Sequence, residues 1–178
     1  MKKTIVKFLC AVPFLGLASC ESSSDINTST VATLDLQRYA GHWYEIARFD
    51  HSFERGLVGC TADYTIMDDG TIQVINSGYK DSFEGKYKQS EGKARRPDAS
   101  RPGELEVSFF LSFYSPYNVM ELASDYSYVL VGSKKDKYLW ILSRTPQMKD
   151  EDLNFLLRQA TARGYNVDEL IWVEHQLQ

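Results

Sequence analysis

The side chains in this sequence that could do covalent or metal chemistry are few and far apart. Cys60 is a thiol inside an apolar run, and a thiol becomes a nucleophile only when a basic neighbour lowers its pKa. The neighbour on offer is Asp63, with no His or Lys beside it, so a buried, inert cysteine is the expectation. His42, His51 and His175 are scattered, with no Cys or carboxylate at metal-ligand spacing, and no metal site is expected. Glu45 and Arg48 alternate with apolar residues, a poor setting for a catalytic acid. A Gly-x-Ser-x-Gly elbow and a phosphate-cradling glycine loop are both missing, and no cofactor is implied. The formal net charge is −4 and the basic residues cluster only at Arg95-Arg96 and Arg101, which gives no electrostatic footprint for nucleic acid. What remains is non-covalent binding.

The elements that would position such a site read as strands. Runs of strand-like residues cover 43–49, 58–67 and 71–79, the last two joined by Asp68-Asp69-Gly70, a strong hairpin signal. A more polar run covers 86–94, and four more cover 104–110, 117–122, 127–132 and 137–143. Eight strands joined mostly by short turns predict an all-β, antiparallel up-and-down barrel, whose interior is wide enough for one small ligand. One helix is expected on the outside. Asp150, Glu151 and Asp152 favour its start, Leu153, Leu156, Leu157 and Ala160 recur at helical spacing, and Gly164 ends it. The run before it is apolar on both faces: Trp140 and Leu142 can line the bore while Leu139 and Ile141 sit beneath the helix. Residues 171–173 read as a short extra strand.

Ahead of this domain lies an address. Lys2, Lys3 and Lys7 precede an apolar run at 8–17 that is too short to span a bilayer. Leu17-Ala18-Ser19-Cys20 resembles a bacterial lipobox, which implies cleavage before Cys20 and acylation of its thiol. Residues 1–19 are then a lipoprotein signal peptide, 20–33 a lipidated N-terminus and flexible tether rich in Ser, Thr, Asn and Asp, and 34–175 a single domain. Glu21, rather than Asp, after the cysteine favours an outer-membrane address. With Cys10 removed and Cys20 blocked by lipid, Cys60 is a lone thiol and no disulfide is expected.

Three motifs carry a family resemblance. Gly41-His42-Trp43-Tyr44-Glu45-Ile46-Ala47-Arg48, Ser124-Asp125-Tyr126 and the stretch from Leu139 through Arg144 to Pro146 resemble, in order and spacing, the three signatures of the lipocalins. Phe49-Asp50-His51-Ser52-Phe53-Glu54-Arg55-Gly56, Gln89-Ser90-Glu91-Gly92-Lys93-Ala94 and Val107-Ser108-Phe109-Phe110 are similar to the bacterial outer-membrane branch, the relatives of apolipoprotein D. The resemblance implies that Trp43 plugs a closed end with Arg144 lying across its ring. It also implies a bore that carries a fatty acid or lysophospholipid in envelope maintenance, from a protein anchored by lipid at the outer membrane.

Alternation along the strands supplies candidate wall residues. Val107 and Phe109 share a face with Leu105, and Val74 and Asn76 share one with Ile72. Trp140 and Leu142 are in step with Arg144. For each, plain core packing competes with ligand contact. By resemblance Tyr117 belongs near the open end, its hydroxyl meeting a head group. Phe113 sits in an aromatic segment that reads as a self-packed loop, an apolar lip for lipid entry, or a homodimer contact. In 58–67 the parity stays open: alternation points Cys60, Ala62 and Tyr64 inward, whereas the resemblance favours Thr61, Asp63 and Thr65. Two other readings accompany the carrier. One is a thiol-dependent lipid enzyme using Cys60, as in one kind of lipocalin; the other is a structural envelope protein with a filled barrel.

Overall fold

The computed structural model describes residues 26–133 and 137–176. The leader at 1–19 and Cys20 lie outside the described residues. Asp35 opens the domain by accepting the Gln37 and Arg38 backbone N–H groups on its side chain, capping a one-turn helix α1 (Leu36–Tyr39). Gly41, at φ +93°, then turns the chain into the first strand, a conformation that costs any residue with a Cβ.

The strands are β1 (Gly41–Arg48), β2 (Leu57–Ile66), β3 (Ile72–Lys80), β4 (Tyr87–Arg95), β5 (Glu104–Ser108), β6 (Ser115–Leu122), β7 (Tyr128–Gly132) and β8 (Leu139–Ser143). Each pairs antiparallel with the next, and β1 pairs with both β2 and β8, so the sheet closes on itself. Closure removes free edges and leaves one inner face. At the β2–β3 turn Asp69 accepts from the Thr71 backbone N–H, and Gly70 takes φ +79°. Helix α2 (Asp150–Ala162) starts on three acids and buries Leu156 and Ala160 against Met120, Leu130, Leu139 and Ile141. Alternate residues of β8, Trp140 and Leu142, face the other way, into the interior. After α2, β9 (Ile171–Trp172) pairs with Ala47 and Arg48 along the upper part of β1.

Two features depart from the sequence reading. Strand β5 stops at Ser108, whose hydroxyl turns to the carbonyls of Phe110 and Leu111, so 109–114 is loop. The segment read as flexible tether is laid along the barrel from Ile26 onward. The Asn27 N–H donates to the Arg163 carbonyl at 2.9 Å, and the Val31 N–H donates to the Val119 carbonyl at 2.9 Å. Ile26 and Val31 also find apolar cover that their polar neighbours gave no hint of.

Candidate functional site

The closed end is packed solid. Trp43 is fully buried, and its indole N–H donates to the Tyr39 carbonyl at 2.9 Å. The Arg144 guanidinium lies 3.8 Å above the Trp43 ring, a cation–π contact sheltered from water. Its N–H groups also donate to the carbonyls of Arg38, Tyr39, Ala40 and His42, at 2.7 to 3.0 Å. One cation thus ties the last strand of the barrel to the end of α1 and the start of β1.

Above this floor the bore is not filled by side chains. A cavity of about 550 Å³ opens at the other end of the barrel, within the range typical of small-molecule sites. All eight residues expected on the wall line it: Val74 and Asn76 from β3, Val107 from β5, Tyr117 from β6, Trp140 and Leu142 from β8, and Phe109 and Phe113 from the loop after β5. The inner part is mostly apolar. The cavity's uncharged polar lining includes Asn76, Ser77, Gln89, Ser90 and Ser115, together with a chain of phenols in which the Tyr117 hydroxyl lies 2.6 Å from that of Tyr39 and 2.9 Å from that of Tyr64. Burial first, and then mutual repulsion with the other phenols, keep Tyr117 and Tyr39 protonated well above the ordinary tyrosine range.

The mouth is different. Lys80 and Lys88 stand on one side; Glu45, Glu54 and Arg55 stand on another. Glu45 and Arg48 are buried and paired, Arg48 Nη1 donating to Glu45 Oε1 at 2.8 Å. Arg48 Nη2 donates to the Glu54 carbonyl at 2.8 Å, and the Trp140 indole N–H to Glu54 Oε2 at 3.3 Å. His51 Nε2 is 3.0 Å from Glu54 Oε2 but lacks hydrogen-bond geometry, and its Nδ1 and Arg48 Nε also have no hydrogen-bond partner among the described residues. Burial, then the Glu54 carboxylate, hold the Glu45 carboxyl well above the usual glutamate range; Arg48 offsets this only in part. Around the rim Phe53, Phe110, Leu111 and Phe113 are exposed, and Leu111 takes φ +51°.

Cys60 is buried and does not line the cavity; the position a Cβ would take on Gly78 lies 3.2 Å from its sulfur. Burial, then the Glu45 charge, push the thiol pKa up, the opposite of what a nucleophile needs.

Comparison with known proteins fits this geometry. The model of the lipocalin-like domain matches residues 34–175. The chain belongs to the lipocalin family. It is 46% identical over 161 residues to the outer membrane lipoprotein Blc of Escherichia coli K12, covering 90% of each protein. To the Blc of Vibrio cholerae it is 41% identical over 175 residues, covering 98% of this chain and 99% of the relative. Among solved structures, insecticyanin of the tobacco hornworm Manduca sexta shares the fold with a TM-score of 0.65 at 21% identity, over 83% of this chain and 84% of that one.

In this lipocalin the open question of β2 has a structural answer. Gly59, at φ +59°, sits where the β2–β3 register shifts, so the strand changes parity within itself. Leu57 lines the cavity before the bulge, and Ala62 and Tyr64 line it after, while Asp63 turns outward to His42 at 2.8 Å. The set Thr61, Asp63 and Thr65 is therefore not the inward one. Tyr117 also differs from expectation: its hydroxyl points down to the phenols near the floor, away from any head group at the mouth. The sequence reading missed Glu45 and Glu54 as wall residues and left Tyr64 as one of two open alternatives. Glu45 carries a usable signal, since it shares the parity of Trp43 on β1; Glu54 is a loop residue and carries none.

Proposed function

We propose that this lipocalin is a carrier that holds one fatty acid or lysophospholipid in its bore, at the bacterial outer membrane, with a role in envelope maintenance. The observation that carries the reading is the cavity itself: about 550 Å³, apolar within, shut at one end and charged only at its mouth. Such a shape fits an acyl chain buried by its tail, with each methylene contributing roughly 0.8 kcal/mol. Lys80 and Lys88 at the rim suit a carboxylate or phosphate head. The names of the Blc relatives support the outer-membrane address, and acylation of Cys20 would supply the anchor. The protein is read as a binder rather than an enzyme, because its one internal thiol is buried and held protonated.

The exposed aromatic rim is read as the entry lip for the chain; a contact with a second copy is the competing use of it. Sedimentation of the wild type beside a Phe110→Ser, Phe113→Ser variant separates these uses, since only a dimer contact changes the oligomeric state. The carrier reading is tested by native mass spectrometry of protein purified from a bacterial host, followed by organic extraction. A co-purifying acyl lipid, displaced by added lipid and lost in Trp140→Glu, is expected. An empty protein whose tryptophan fluorescence ignores added lipid would instead support a structural envelope protein.

A further inference from the structure

Three hydroxyls meet near the floor of the cavity, and their hydrogen count does not close. Tyr39, Tyr64 and Tyr117 bring three O–H donors but make two bonds among themselves, both to the central Tyr117 oxygen. Each bond consumes one proton, so one phenolic O–H is left over whichever way the two are oriented. Among the described residues these hydroxyls make no other hydrogen bond. Tyr64 and Tyr117 line the cavity, whereas Tyr39 is sealed behind them against Trp43, with ring centroids 5.3 Å apart. The spare donor can therefore face the bore, in apolar surroundings that include Val74 and Leu142. Once a hydrocarbon chain fills the bore, a donor left without an acceptor is costly, and a ligand that brings an acceptor to that level avoids the cost.

The acceptor it suits is neutral. All three phenols are held protonated, chiefly by burial. The cation that faces the phenols among the described residues, Arg144, is already committed to five backbone carbonyls. A carboxylate carried to this depth would find no balancing charge, whereas a hydroxyl or keto oxygen needs only the hydrogen bond.

Depth fixes where on the chain that oxygen must lie. Tyr64 is level with Val74 and Gly92 across the sheet, and the rim lysines Lys80 and Lys88 stand on the same two strands, six and four residues nearer the mouth. At about 3.3 Å per residue and a tilt of about 40°, that is roughly 10 to 15 Å along the barrel axis. An extended chain with C–C bonds of about 1.5 Å advances roughly 1.25 Å per carbon, so the level falls between about the eighth and twelfth carbons.

We infer that the tyrosine cluster is a binding subsite that selects acyl chains bearing a hydroxyl or keto oxygen near the tenth carbon. The inference rests on the carrier reading, with the head group seated at the rim lysines. It assigns the lower bore a chemical preference that an all-hydrocarbon floor would lack.

The test is a competition on the full chain. Octadecanoic acid, 3-hydroxyoctadecanoic acid and 10-hydroxyoctadecanoic acid are offered in equal amounts, and the bound fraction is extracted and quantified by mass spectrometry. The 10-hydroxy acid is expected to be enriched about fivefold or more over octadecanoic acid, with no enrichment of the 3-hydroxy acid, whose oxygen stays near the mouth. In the Tyr64→Phe, Tyr117→Phe double variant the preference should reverse, the 10-hydroxy acid binding about tenfold less well than octadecanoic acid because its hydroxyl is buried unpaired. Circular dichroism and a thermal melt show that the variant is folded, and the comparison of the two hydroxy isomers on wild type needs no variant. Equal uptake of all three acids, enrichment of the 3-hydroxy acid to the same degree, or enrichment that survives the double substitution overturns the subsite and leaves the carrier standing. Failure of the wild type to take up any of the acids overturns the carrier reading itself.

Discussion

The two ends of this barrel solve the burial of charge in opposite ways. At the closed end Arg144 lies on the Trp43 ring and gives its N–H groups to backbone carbonyls, with no carboxylate facing it. At the open end two carboxylates, a guanidinium and an imidazole share one buried cluster, and Arg48 Nε and His51 are left short of hydrogen bonds. The first arrangement is satisfied and carries little reason to move. The second leaves Arg48 Nε and the His51 ring nitrogens without a hydrogen bond to the described residues, and its two carboxylates line the cavity. Fully satisfied polar networks rigidify a structure and specify a unique packing. The contrast fits the proposed carrier reading, with stability at the closed end and ligand entry at the open one.

The largest effect should come from breaking the closed end. Trp43→Ala is expected to cost about 3–5 kcal/mol in urea denaturation, as large aromatic truncations in a core do. Phe113→Ala at the lip should stay within about 0.5 kcal/mol, because its ring is exposed. Similar losses at both ends would erase the contrast. Filling the bore should separate binding from stability: Val74→Trp is expected to reduce lipid uptake roughly tenfold or more, the equivalent of about two methylenes denied burial. Lipid titration followed by tryptophan fluorescence measures this, with thermal melts to show that the fold persists.

The mouth cluster should reveal itself in pH dependence. The folded state raises the Glu45 carboxyl above its unfolded value, so folding favours the protonated form. That stabilisation is complete below the ordinary glutamate range and is lost as pH rises through the raised folded value. Glu45→Gln should flatten this decline in a series of urea midpoints against pH; an unchanged slope would remove Glu45 as its source. A small gain is expected at Leu111, which holds a left-handed backbone at the lip. Leu111→Gly should raise stability by up to about 1 kcal/mol by relieving that strain, while slowing lipid loading from vesicles through loss of apolar contact.

Much of the fold was legible because alternation has a period of two and the turns carry their own chemistry. The two faces of β8 could be read directly: Trp140 and Leu142 inward, Leu139 and Ile141 beneath the helix. Val74, Asn76, Val107, Trp140 and Leu142 share one cavity for the same reason, whereas Tyr117 came from the resemblance and Phe109 and Phe113 reach it from a loop. Strand β2 resisted because Gly59 breaks its period, and a bulge changes parity without altering composition. The docked stretch 26–33 was hidden by its polar content, since backbone hydrogen bonds to Arg163 and Val119 leave no trace in side-chain pattern. Helix α1, one turn long, is too short for periodicity to register.

By itself the sequence determined the barrel, its outer helix and the apolar character of the wall, while the Trp43–Arg144 plug was implied only by the family resemblance of its motifs. These follow from local pattern and from motifs whose residues stand close together along the chain. Only the tertiary structure decided that the bore is open rather than filled, that three phenols from α1, β2 and β6 meet on its floor, and that Glu45 and Glu54 share one guanidinium at its mouth. Those arrangements join residues as far apart as Tyr39 and Tyr117, whose distance is set by where the strands close and how far each side chain reaches across the barrel.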